Sequence, residues 1–180
     1  MLRITVPAVN GAWDESKQEF VNLKEQTLQL EHSLVSLSKW EQKWHKPFLF
    51  TKEKTLEETL DYIRCMTLTQ NVNPETYLFL TEENIMQIKD YIDDPMTATT
   101  FSDKDKKNNK EIITSELIYY WMISLNIPPE YQKWHLNRLL ALIRVCNIKN
   151  TPPTKMSKKE TIKYYNDINE ANKKLFNTTG

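Results

Sequence analysis

Apolar residues alternate at strand spacing near the start of the chain and recur at helical spacing from residue 34 onward. Leu2, Ile4 and Val6 alternate with Arg3 and Thr5, and Pro7 and then Asn10-Gly11 punctuate them, which predicts an edge strand followed by a turn. Glu19–Leu23 and residues 27–31 predict two further short strands. Together they would form an antiparallel sheet of about three strands, which needs a helix over its apolar face. Residues 34–45 are the natural cover. At 100° per residue Leu34, Leu37, Trp40, Trp44 and Phe48 share a stripe of roughly 120°, while Lys39, Glu41, Gln42, Lys43 and Lys46 lie largely outside it. Ser33 or Ser36 can cap this helix, and Pro47 ends it.

Five more helices follow from the same pattern. Thr55-Leu-Glu-Glu58 is a capping box that opens a helix through Met66, with Leu56, Leu60 and Ile63 on one face, extended by Met66. Residues 71–74 break it. Thr81 caps residues 82–92, where Ile85, Ile88 and Ile92 should point inward and two acidic residues favour the positive helix end; Asp93-Asp94-Pro95 stops the helix. Residues 95–110 are polar and read as an exposed loop. Residues 112–125 and 129–148 predict an antiparallel helical hairpin turned at Pro128-Pro129, with Leu117, Trp121, Leu125, Tyr131, Trp134, Leu139, Ile143 and Cys146 as core. After the linker Thr151-Pro-Pro153, Ser157-Lys-Lys-Glu160 is a capping box for a polar helix toward Phe176 whose few apolar residues are Ile162, Tyr165, Ile168 and Leu175.

The expected fold is therefore α+β and mostly α: a small N-terminal sheet covered by about five helices, with a polar C-terminal helix. Residues 1–150 form one domain (1–32 the sheet, 33–150 the helical part), and 151–180 form a basic arm.

The 180 residues carry 24 basic and 24 acidic side chains, so overall charge gives no reason to expect a nucleic-acid or membrane-surface protein. No run of 18 apolar residues could span a bilayer, and no basic segment followed by an apolar one marks an export signal. Cys65 and Cys146 lack the spacing of a zinc or redox motif and are expected to be reduced, buried thiols. With two glycines, Gly11 and the final Gly180, the chain cannot build a phosphate-cradling loop, which argues against the common nucleotide-dependent enzymes.

Candidate chemistry is sparse. Glu57 and Asp61 share a helix face, but acidic residues near a helix start favour the dipole and face water. Asp93-Asp94 with Glu82 or Glu83 matches no calcium loop. His32, His45 and His135 are too dispersed for a metal site, and His135 lies roughly 16 Å along its predicted helix from Cys146, beyond reach of a nucleophile and base. Residues 149–180 hold seven lysines against three acids and several aromatics, a pattern compatible with nucleic acid. They lack arginine, and a solvated helix or a protein-docking arm is favoured. Trp13, Trp40, Trp44, Trp121 and Trp134 are mainly core material, with one or two as partner anchors.

The wording of residues 30–48 resembles the tail assembly chaperones of long-tailed bacteriophages. The similarity extends to Trp13-Asp-Glu15, Glu25-Gln-Thr-Leu-Gln-Leu-Glu-His32, Thr59-Leu-Asp-Tyr-Ile63 and Ile113-Thr-Ser-Glu-Leu-Ile-Tyr-Tyr-Trp-Met122. It continues in Gln132-Lys-Trp-His-Leu-Asn-Arg-Leu-Leu140 and Leu142-Ile-Arg-Val-Cys-Asn147, and so covers most of the chain. The resemblance implies a non-enzymatic factor, without cofactor or metal, that binds the tape measure protein and tail tube or other tail proteins in the host cytoplasm and is left out of the mature virion. The C-terminal arm departs most from the family, which is more arginine-rich there.

Tape measure proteins are long helices with an apolar side, so covering that side would need an exposed apolar groove on the helical part, bordered by Lys39, Lys43 and Arg138, with Trp121 and Trp134 as anchors. A homo-oligomer is compatible with this reading, and nucleic acid is disfavoured as a partner. The competing readings are a structural virion protein, such as a tail completion or head-to-tail adaptor subunit, and a nucleic-acid-binding or host-defence-inhibiting phage protein.

Overall fold

A computed structural model describes residues 1–14, 19–101, 111–151 and 158–176. Four strands come first: β1 (Leu2–Val6), β2 (Val9–Asp14), β3 (Glu19–Leu23) and β4 (Gln26–Leu30). They are followed by α1 (Leu34–Trp44), α2 (Leu56–Met66), α3 (Glu82–Asp93), α4 (Ser115–Ser124), α5 (Leu136–Asn150) and α6 (Lys158–Phe176), with 3-10 turns at Pro74–Phe79 and Pro129–Lys133. The fold is α+β and mostly helical, as the patterning predicts. Two compact units divide the chain, Met1–Asn147 and Ile148–Gly180.

The sheet differs from expectation in its pairing. β1 runs antiparallel to β4, with Leu2 opposite Leu30, and β2 runs antiparallel to β3, with Val9 opposite Leu23 and Asp14 opposite Glu19. These are successive stretches of one hairpin, four strands paired two by two instead of three in one sheet. Asn10-Gly11 makes no turn. It lies inside β2 at a register shift between Val9 and Ala12, where Gly11 has φ +71° and donates its N–H to Asn22 Oδ1 at 2.9 Å. An extra residue in one strand there is a bulge, and glycine tolerates the positive φ.

Ile4, Val6, Leu28 and Leu30 face the core, while Arg3, Thr5 and Thr27 face water, as the alternation requires. Both edges of the β1–β4 ladder are engaged. Asn84 of α3 donates from Nδ2 to the Thr5 carbonyl at 3.3 Å, and on the β4 side Leu68 N–H donates to the Gln29 carbonyl at 2.8 Å. Such engagement removes the open edge that would otherwise attract another strand.

Helix α1 begins at a reciprocal cap in which Ser33 and Ser36 satisfy each other's backbone N–H. It ends before Pro47 at His45, in left-handed conformation with φ +53° and its N–H donating to the Glu41 carbonyl. Leu34, Leu37 and Trp40 are buried in the core, where α1 packs on α2 and α4 while α3 lies on β1, with Trp44 at the margin and Phe48 following in the core. Glu41, expected outside the stripe, is buried instead. The Thr55 and Glu58 capping box opens α2 as predicted. Leu56 does not join the core and is 76 % exposed; Tyr62, Ile63 and Met66 are buried.

Helix α4 is rotated relative to expectation: Ile118 and Met122 are buried, and Leu117, Trp121 and Leu125 are half-buried. Its first turn explains the phase, because Ser115 N–H donates to the buried Glu41 carboxylate at 2.7 Å and fixes the start of α4 against α1. The predicted helix over 129–148 is broken at Trp134 and His135, where Leu136 N–H donates to the His32 carbonyl at 2.7 Å and the chain pairs briefly with Ser33. Leu136, Leu139 and Ile143 enter the core, while Tyr131, Trp134 and Cys146 stay half-buried. Cys65 and Cys146 are free thiols, each half-buried. Parts of the 95–110 loop, the Pro152-Pro153 linker and the Ser157 cap fall outside the described residues.

Candidate functional site

The seam between α1 and α2 holds acids that the sequence places at the surface. Asp61, expected to face water beside Glu57, is buried; Lys43 Nζ pairs with its Oδ1 at 2.5 Å and Trp44 Nε1 donates to its Oδ2 at 3.0 Å. Glu58 is 1 % exposed, paired with Lys46 and accepting the Thr55 N–H at 2.8 Å. The Lys46 hydrogen bond, then that backbone N–H, hold its carboxyl below the usual carboxylate range. Trp40 Nε1 donates to the Glu58 carbonyl at 2.8 Å, and Glu41 accepts N–H groups from Phe48 and Ser115 at 2.8 and 2.7 Å. Carboxylates whose oxygens all have partners rigidify a core, and they leave no free oxygen for acid-base work.

The dispersal of the histidines in sequence is undone by the fold. His32 and His135 are both buried, their rings edge to face with centroids 5.1 Å apart. His135 Nδ1 accepts the Asn137 N–H at 3.3 Å, so its proton resides on Nε2, which donates to the Tyr91 carbonyl at 2.9 Å. His32 Nδ1 lies 2.5 Å from the Tyr62 hydroxyl. Burial, reinforced by His135, pushes the His32 imidazole down to about 3. Burial also pushes the Tyr62 phenol well above its ordinary value. The buried His32 and His135 rings, anchored by the Tyr62 hydroxyl and the Tyr91 carbonyl, close the junction of β4, α2, α3 and α5. Among the described residues, no group of three or more His, Cys, Asp or Glu could hold a metal ion.

The open features lie elsewhere. Between α2 and α3 runs a cleft of about 210 Å³ lined by Thr59, Tyr62, Ile63, Ile85, Ile88, Lys89 and Ile92. Its polar rim is light: Ile85, expected inward, is 39 % exposed, and Met86 next to it is 62 % exposed. The cause is that α3 packs on β1 while α2 packs on α1, so the two helices are held by different neighbours and do not close on each other. On the helical hairpin, Tyr120 and Ile123 of α4 project from the core, and Tyr119 OH donates to Gln132 Oε1 at 3.0 Å, tying α4 to the 3-10 turn.

Of the five residues singled out as partner contacts, the fold joins Trp134 and Arg138: the guanidinium sits 4.1 Å over the Trp134 ring, which stacks on Tyr131 at 3.9 Å. Trp121 is half-buried in α4 and Lys39 is exposed on α1. Lys43 is engaged by Asp61 and lies 5.4 Å over the Trp44 ring. Leu56, Ile85, Met86 and Ile123 were missed as surface residues. The available signal was stripe width: Ile85, Met86, Ile88, Tyr91 and Ile92 cover too much of the circumference of α3 for one buried face.

No helix among the described residues is long and apolar enough to cross a membrane. The chain matches no family model, no curated protein and no solved structure.

Proposed function

We propose that this protein is a non-enzymatic tail assembly chaperone of a long-tailed phage, binding the tape measure protein and tail proteins in the host cytoplasm and absent from the finished virion. The observation that carries the reading is apolar surface left outside a closed core. Ile123, 76 % exposed, and Tyr120 stand on α4, and the stacked Tyr131, Trp134 and Arg138 adjoin it through the 3-10 turn. Exposed apolar groups on α4 and a half-buried aromatic pair capped by an arginine are chemistry suited to an amphipathic helix. The resemblance in residues 30–48 and 113–147 supplies the partner.

Coexpression tests it. The tape measure protein encoded beside this chain should be soluble and copurify with it, and Ile123→Glu combined with Trp134→Glu should release it into the insoluble fraction. A tape measure protein equally soluble without this chain overturns the reading. The β2–β3 ribbon, extending the hairpin beyond β1–β4, favours a second reading as a structural virion subunit that assembles through that ribbon. Stoichiometric presence of the chain in purified virions, read by mass spectrometry, would select it.

A further inference from the structure

The α2–α3 cleft and helix α6 are two surfaces without assigned partners, and their chemistries match. The cleft has an aliphatic and aromatic floor of Tyr62, Ile63, Ile88 and Ile92, with Ile85 and Lys89 at its α3 edge, where Glu82 and Asp93 share their helical stripe. Helix α3 carries Glu82, Glu83, Asp90 and Asp93 against the single Lys89. On α6 the residues Tyr164, Ile168, Ala171 and Leu175 are spaced four, three and four apart, a continuous stripe on one face, with Tyr165 beside it. Every one of these side chains is exposed. Five lysines of α6, Lys158, Lys159, Lys163, Lys173 and Lys174, outnumber its three acids.

We infer that the α2–α3 cleft is a docking groove for α6 of a second copy of this chain, apolar stripe to apolar floor and lysines to the acidic α3. Helix-in-groove recognition needs anchors at i, i+3, i+4 and i+7 on the helix and an apolar trough flanked by opposite charge, and both halves are present. Each copy offers one helix and one groove, so two copies close reciprocally about a two-fold axis and leave neither surface unmatched. At 1.5 Å per residue α6 spans roughly 28 Å, longer than the roughly 18 Å of α3, so it can cover the whole trough.

The test uses full-length chains. Sedimentation equilibrium should show a dimer, and the pair Ile168→Asp and Leu175→Asp should raise its Kd by more than about tenfold. Both positions are exposed in the single chain, so the far-ultraviolet circular dichroism of the variant should match the parent. Ile85→Lys in the groove should weaken the dimer in the same sense. In a Cys65→Ala, Cys146→Ala background, one chain with Ile85→Cys and a mass-tagged chain with Ile168→Cys should form a mixed disulfide on oxidation. A monomer at about 0.1 mM overturns the proposal, as does a dimer indifferent to the α6 substitutions. Placing both cysteines in one chain supplies the last arm: a disulfide formed only within single chains would make the occupant the chain's own helix and refute the second copy.

Discussion

The two sides of helix α2 invert the usual distribution of polarity. Toward α1 the helix buries acids, Glu58 and Asp61; toward α3 it presents Tyr62 and Ile63 to an open cleft. The buried side is tolerable because each carboxylate meets a lysine and an indole or backbone N–H, so desolvation is offset by charge-assisted hydrogen bonds. The open side persists because α3 is anchored to the strand edge and not to α2. Polarity alone would assign both faces wrongly. A closed side should be sensitive to every substitution and an open side indifferent in stability, and five measurements can break or sharpen that contrast.

The largest effect should come from Trp40→Ala, which removes a fully buried indole and its bond to the Glu58 carbonyl. A loss of about 3–5 kcal/mol in urea denaturation is expected. A loss below about 1 kcal/mol would mean the seam is looser than its contacts imply. Next, Glu41→Ala orphans the Phe48 and Ser115 N–H groups and should cost about 2–4 kcal/mol. Glu41→Gln, which keeps an acceptor, should cost less.

Acid should then test the histidine junction. His32 is held neutral in the fold, near 3 against an ordinary 6.5, so the unfolded chain binds the proton first and stability falls as pH drops below 6.5. Between pH 6.5 and 4.5 the loss from this residue should approach about 2.5 kcal/mol, ahead of the window in which Glu58, depressed below 4.5, contributes. His32→Asn should flatten that slope; an unchanged slope assigns it elsewhere. Lys43→Met leaves Asp61 with the Trp44 indole alone, and because Lys43 is half exposed the cost should be only about 1 kcal/mol. Smallest of all, Met86→Gln on the exposed face of α3 should stay within about 0.5 kcal/mol of the parent; a larger loss would mean that this face is covered.

Local signals were legible where a few adjacent residues suffice. The Ser33, Thr55 and Thr81 caps, the stop before Pro47 and the Leu34, Leu37 and Trp40 stripe follow from side chains within one or two turns. The strand at Leu2–Val6 was equally readable, because alternation with Arg3 and Thr5 fixes which face is buried. Errors arose wherever a distant atom set the outcome. Asn10-Gly11 has turn composition, but the opposite strand, through Asn22, makes it a bulge. The phase of α4 departs from its apolar pattern because Glu41, 74 positions earlier, holds its first N–H. The predicted site residues differ for the same reason: Trp134 and Arg138 meet across the four residues that lead into α5, whereas the role of Lys43 depends on Asp61 of another helix.

By itself, then, the sequence determined the elements, their caps and the α+β class, since hydrogen-bonding side chains and apolar periodicity act over a few residues. It also determined that no glycine-rich phosphate loop could form. Only tertiary structure decided which acids are buried, that His32 and His135 meet, and that α2 and α3 stand apart over an apolar trough. Those outcomes depend on desolvation and on which neighbour each helix packs against, and both are properties of the assembled chain.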